Sequence, residues 1–218
     1  GEFAQAAFRS NTALLGIAFI SNIYGKSDMA SLMLIGNVPF NNVLAVIIVL
    51  FMKPDGEKKA AGNLAKETVK GILTNPIILG IAGGMLLSVC HVPQVPIVSK
   101  TVHNLTSLAT PLGLMAMGGS FEGEKAIGQI RPALGATFLR LAGIAMIALP
   151  LAALSGLRNE QMVGALVVAG SSSAVSCFIM AKNMGHEGTL TSSVVMLTTL
   201  GSAFTMTAWL YVLRCFGL

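Results

Sequence analysis

The 218 residues carry 54% hydrophobic and 11% charged side chains, a formal net charge of +5 and a mean hydropathy of +0.76. Ordinary soluble domains carry about 25% charged residues, so this balance excludes a soluble fold and points to one all-α membrane domain with the lipid bilayer as its surroundings. The basic residues lack the interleaved aromatics of a nucleic-acid surface, so no nucleic-acid partner is expected.

A span needs about 20 mainly apolar residues, and seven candidates follow in chain order: 9–25, 31–52, 75–92, 99–121, 132–157, 160–182 and 190–214. The first opens straight from the short stretch 3–8, with no signal peptide before it. Asn11, Gly16, Ser21 and Asn22 interrupt it, and its length puts Asn11 near the inner surface. The second carries Asn37, Asn41 and Asn42; three amides facing lipid would be costly, so they face protein or a cavity. Interhelical hydrogen bonding and substrate contact both fit them.

The third span carries Gly80, Gly83 and Gly84, a small-residue face suited to helix packing. The fourth holds His103, read as a hydrogen-bonded structural histidine, and Pro111, expected to kink its helix while Thr110 satisfies the freed carbonyl. The fifth holds Arg140, the one charge well inside a span. It is either functional or snorkels to the interface, two turns away. The sixth carries Gly170-Ser171-Ser172-Ser173 at its middle, followed by Ser176: either the helix breaks there, or it continues and its small serines let a neighbour pack closely. Such breaks are tolerated in membranes where protein packs around them or they line a wet cavity, and in secondary transporters they mark the substrate site.

Nine carboxylates, Glu2, Asp28, Asp55, Glu57, Glu67, Glu122, Glu124, Glu160 and Glu187, all fall in loops or at span ends. This removes aspartyl intramembrane proteolysis, a retinal counter-ion and a carboxylate proton relay. No nucleophile–base or metal constellation is present, so no enzyme, metal or cofactor is expected. Cys90, Cys177 and Cys215 show neither metal nor disulfide spacing.

The 53–74 loop holds Lys53, Lys58, Lys59, Lys66 and Lys70 and is placed inside. Alternation then puts nine basic residues inside, Arg9 among them, against four outside, with the C-terminus outside. Two span–loop–span units also look alike: Asn22-Ile23-Tyr24-Gly25-Lys26 before Met29–Met33, and Asn183-Met184-Gly185-His186-Glu187 before Leu190–Val194. Their opposite orientations fit an inverted repeat as well as chance likeness between apolar segments.

At these residues the chain resembles the auxin efflux carrier family, whose bacterial members include malonate, malate and other organic-acid permeases. Phe8-Arg9-Ser10-Asn11-Thr12 is similar to the family's Arg-x-Asn opening of its fourth helix, and Pro39-Phe40-Asn41-Asn42 to its fifth. Asn75-Pro76-Ile77, Ser107–Leu112 and Ser173–Lys182 resemble its sixth, seventh and ninth. The resemblance implies helices four to ten of a ten-helix inverted-repeat transporter, N-terminally truncated, with broken fourth and ninth helices crossing at mid-membrane. It implies residues 1–52 as the end of the first repeat, 53–74 as a cytoplasmic loop and 75–218 as the second repeat. Two departures stand out: Ile17 follows Gly16, and Ser172 stands, where the family often has proline, so neither break is forced by a missing N–H.

The expected function is alternating-access transport of a small organic anion in the bacterial inner membrane. Coupling to H+ or Na+ and a homodimer stay open. The half-helix ends would face one midplane cavity, with Asn11, Gly16, Asn37, Asn41, Asn42, Thr110, Ser171, Ser172, Ser173 and Ser176 as substrate contacts and Arg140 in a charge role. A sodium-coupled bile-acid-type symporter and an inactive truncated carrier fragment are the alternatives.

Overall fold

The computed structural model describes residues 1–25, 28–51, 73–74, 76–91, 93, 95–183 and 185–217. The inside loop of the sequence reading lies almost wholly outside these residues. Ten helices are described: α1 (Glu2–Phe8), α2 (Thr12–Tyr24), α3 (Asp28–Phe51), α4 (Pro76–Val89), α5 (Pro96–Gly119), α6 (Gly123–Gly128), α7 (Ile130–Leu154), α8 (Glu160–Gly170), α9 (Ser176–Asn183) and α10 (Thr189–Cys215). Of these, α7 and α10 are long and apolar enough to cross a membrane by length and composition. Leu154, Ile97 and Phe204 are 85%, 77% and 80% exposed, a surface suited to hydrocarbon rather than water.

The core lies where α8 meets α7 and α10. Leu149, Met162, Leu166, Val167 and Met206 are buried together there. Alanines do the packing beside it, with Ala6 and Ala7 of α1 against Ala133 and Ala136 of α7 and Val194 of α10. Small side chains let these backbones approach closely, as membrane interiors favour. Ile20, Ala30 and Val163 tie α2 and α3 to α8.

Glu2 fastens α1 to the start of α10. Its carboxylate accepts the Gly188 N–H at 2.9 Å, the Thr191 N–H at 3.2 Å and the Thr191 hydroxyl at 2.9 Å, satisfying free N–H groups at the positive end of that helix. Gly188 is needed at this turn: its φ is +74°, and a Cβ would lie 3.0 Å from the Phe178 ring. At the surface, Lys125 pairs with Glu122 at 2.9 Å, and that bond holds the ammonium pKa above its ordinary value.

Several expectations change. The first break falls at Arg9–Asn11, not at Gly16, which sits inside α2 close to Met33. Ser21 bonds back to the Ile17 carbonyl at 2.6 Å and leaves α2 unbroken. Gly80, Gly83 and Gly84 face open space among the described residues rather than a neighbouring helix. His103 is exposed, and no hydroxyl bond from Thr110 to a carbonyl beside Pro111 is described. The cause is shared: α4 and α5 stand at the margin of the described bundle, and α5 buries only Gly113 and Met117.

Candidate functional site

Two broken helices meet in the protein interior. The chain leaves α1 through an extended Arg9 (φ −78°, ψ 119°) and restarts at Asn11, while α8 ends at an extended Ser171 (φ −71°, ψ 165°) and the helix resumes as α9 at Ser176. The two gaps lie side by side. Ser10 and Ser173 form an antiparallel bridge, and the Asn11 N–H donates to the Ser172 carbonyl at 2.8 Å.

Each loosened backbone group needs a partner, because no water is freely at hand. Arg140 meets three of the carbonyls. Its Nε donates to the Ser171 carbonyl at 2.8 Å, one terminal nitrogen to the Phe8 carbonyl at 3.0 Å, and the other to the Val168 carbonyl at 2.7 Å and the Ser171 hydroxyl at 3.3 Å. Phe8 closes α1, and Val168 and Ser171 close α8, so one guanidinium caps the carbonyl ends of both broken helices. A cation at a helix C-terminus is favourably placed against the helix dipole, and the planar fork suits several acceptors at once. Arg140 is 1% exposed, which rules out snorkelling. It rides on a π-helical turn, Leu139–Gly143, of the kind that often marks functional sites. The Trp209 indole donates to the Leu141 carbonyl within that turn at 3.1 Å.

The remaining bonds come from α1, α3 and α10. The Ser173 N–H donates to the Thr198 hydroxyl at 3.0 Å, and the Ser173 hydroxyl donates to the Ala6 carbonyl. Asn37 donates to the Thr12 hydroxyl at 2.6 Å and the Ser10 hydroxyl at 3.2 Å. Asn41 donates to Asn37 Oδ1 at 3.0 Å and to Ser10 at 3.4 Å. Asn42 donates to the Val38 carbonyl at 2.8 Å and accepts from Arg9. All three asparagines therefore turn toward protein, and their described bonds join α3 to the first break.

Of the residues expected at a site, Asn11, Asn37, Asn41, Asn42, Arg140, Ser171, Ser172 and Ser173 come together here. Ser176 opens α9 and is half-buried. Gly16 lies within α2, one turn past Thr12, and Thr110 belongs to α5 and makes no described bond to the crossover. The expected midplane cavity is not described at this point: Ser171, Ser172 and Ser173 are at most 1% exposed. The described grooves lie elsewhere. One of about 490 Å³ is lined by Leu34, Ile35 and Met85, and one of about 420 Å³ by Tyr24, Tyr211 and Arg214.

The sequence reading missed Gln5, Arg9, Ser10, Thr12 and Thr198. Arg9 was counted as an inner-surface charge, yet it is 4% exposed and reaches Asn42 on α3 and the Met180 sulfur on α9. The available signal was the interruption of apolar Phe3–Phe8 by Gln5, which puts helix before Arg9 and not only after it.

Electrostatically the crossover is one-sided. The carbonyl ends of α1 and α8 are met by Arg140, whereas the N-terminal ends of α2 and α9 have no side-chain cap described. The positive ends of α2 and α9 and two buried guanidinium groups belong to one crossover with no acidic side chain among their described partners, an arrangement that favours an anion.

Compared with known proteins, residues 3–210 match the family model described as membrane transport protein. No curated protein and no solved structure matches the chain.

Proposed function

Because the chain belongs to the membrane transport protein family, the auxin efflux carriers, we propose that it carries a small organic acid anion across the bilayer by alternating access, with the crossover as its binding site. Family membership makes it an integral membrane transporter rather than an enzyme. The observation that carries the anion reading is Arg140. By capping both carbonyl ends it leaves the positive ends of α2 and α9 without a counter-charge at the crossover, where a carboxylate gains from both helix dipoles and from the uncapped first turn of α2. Asn11, Ser171, Ser172, Ser173 and Ser176 line the backbone of that place, and Asn37, Asn41 and Asn42 brace it from α3. Gly16 and Thr110 are left out of the proposed site.

An inverted repeat accounts for the pairing. The bridge between the two breaks is antiparallel. Asn37 lies nine residues after the first residue of α3 and bonds one break; Thr198 lies nine after the first residue of α10 and bonds the other. Equivalent positions in two units of opposite orientation would produce this match. The basic residues fit a bacterial inner membrane with the 53–74 loop inside and the C-terminus outside. With every carboxylate in a loop or at a span end, a carboxylate-lined sodium site inside the spans has no donor in this sequence.

The test is uptake of labelled malonate, malate or lactate into proteoliposomes containing the purified protein. Saturable uptake of at least one is expected. Uptake of none, in vesicles shown to hold correctly folded protein, contradicts the organic-anion reading.

A further inference from the structure

The two buried arginines are used differently. Arg140 places four described hydrogen bonds on three carbonyls and a hydroxyl. Arg9 is 4% exposed, and its described partners are a neutral amide oxygen on Asn42 and the thioether of Met180 at 3.5 Å. A guanidinium has five N–H donors and stays charged, so Arg9 keeps donors in reserve and has no counter-charge among the described residues. A buried cation held this way is costly unless something pairs with it.

A second, independent vacancy lies one turn earlier on α1. Gln5 is 0% exposed, and neither Nε2 nor Oε1 has a hydrogen-bond partner among the described residues. Arg9 is the residue on which α1 ends, and its N–H still donates to the Gln5 carbonyl at 3.1 Å, so the two residues are held one turn apart. A buried amide with both ends unmet calls for a missing group. A group that accepts from the amide nitrogen and the guanidinium together has the chemistry of a carboxylate oxygen, while Oε1 takes its donor from a water or from another part of the ligand. A fixed fork also matches a carboxylate in two bonds at once.

We propose that Arg9, with the Gln5 amide one turn before it, is the seat for one carboxylate of the transported anion, the oxygens bridging guanidinium and amide. The assignment rests on the organic-anion reading of the crossover. None of the described grooves reaches Arg9, so loading requires α3 and α9, which hold Asn42 and Met180, to part around it.

The experiment compares binding of malonate and of its neutral isostere malonamide to the purified protein, to Arg9→Gln, Arg9→Lys and Gln5→Leu, with thermal stability measured alongside. The parent is expected to prefer malonate. Arg9→Gln should weaken malonate about 10- to 100-fold, as for loss of hydrogen bonds to a charged group, and erase the preference; Arg9→Lys should recover part of it. Gln5→Leu removes an unmet buried amide, so it should keep or raise thermal stability while weakening malonate about tenfold. Malonate binding unchanged in Arg9→Gln, or malonate and malonamide lost to the same degree, overturns the proposal. Should Arg9→Gln not fold, Gln5→Leu decides: greater stability with unchanged malonate affinity means that water, not substrate, fills the vacancy. If the parent moves none of malonate, malate and lactate, it is the organic-anion reading that fails. If it moves one and the Arg9 and Gln5 variants move it equally well, only this assignment fails.

Discussion

Arg140 and Leu105 both sit in helices of 24 residues or more, α7 and α5, yet one is 1% exposed and the other 64%. Around Arg140 the chain abandons helical hydrogen bonding twice within a few ångströms, and side chains and neighbouring backbone replace what is lost. Around Leu105 the helix is continuous from Pro96 to Gly119, with Ile97, Leu105 and Met115 turned outward. The difference shows what holds each region. Near Leu105 the α5 helix relies on its own backbone ladder and an apolar surface, and it meets the bundle through Gly113 and through Met117, packed with Phe178 and Val195. The crossover depends on long-range bonds, Arg140 to Phe8 and Asn11 to Ser172, that no local sequence rule supplies.

The sharpest way to break this contrast is Arg140→Leu. It leaves the Phe8, Val168 and Ser171 carbonyls buried without their donor, and a loss of about 3–5 kcal/mol is expected, from about 1–3 kcal/mol for each unmet acceptor less the cost of burying the guanidinium. Thermal unfolding in detergent checks it; a loss below about 1 kcal/mol would mean that the breaks do not depend on this residue. Thr198→Val tests a single bond of the same network. It keeps side-chain shape but removes the acceptor of the Ser173 N–H, and about 1–3 kcal/mol should be lost in the same assay. At the other end of the scale, Leu105→Ala on α5 should shift stability by no more than about 0.5 kcal/mol. A larger loss would show that α5 is packed against something at this face.

The contrast also explains which parts of the structure could be read from the residues. Gly170 and its run of serines announce the second break, because small polar side chains in mid-span weaken the case for a continuous helix. The first break contains neither glycine nor proline. Arg9 counts as an inside charge by alternation, Gly16 draws the break forward into α2, and Asn11 falls near the inner surface by span position although its backbone pairs with Ser172 in the second break. A short helix, Glu2–Phe8, precedes the break and reverses that assignment. The asparagines of α3 were rightly kept from lipid, but interhelical bonding and substrate contact could not be separated without knowing that Ser10 and Thr12 lie opposite. The π turn around Arg140 has no signature in Leu139-Arg140-Leu141-Ala142-Gly143; it is set by what α8 and α10 demand of α7. The small-residue face of α4 meets no neighbour among the described residues, because glycine spacing shows that a neighbour can approach, not that one does.

The claim that the crossover is the working site is tested most directly by transport itself. Uptake of whichever labelled organic acid the parent moves would be measured with Ser172→Leu and Leu105→Ala side by side, each reconstituted at equal density. Ser172 is 1% exposed with its carbonyl bound to Asn11, so a branched apolar side chain there must displace the paired backbone. The account predicts uptake lost in Ser172→Leu and parental in Leu105→Ala. Parental uptake in both would contradict it.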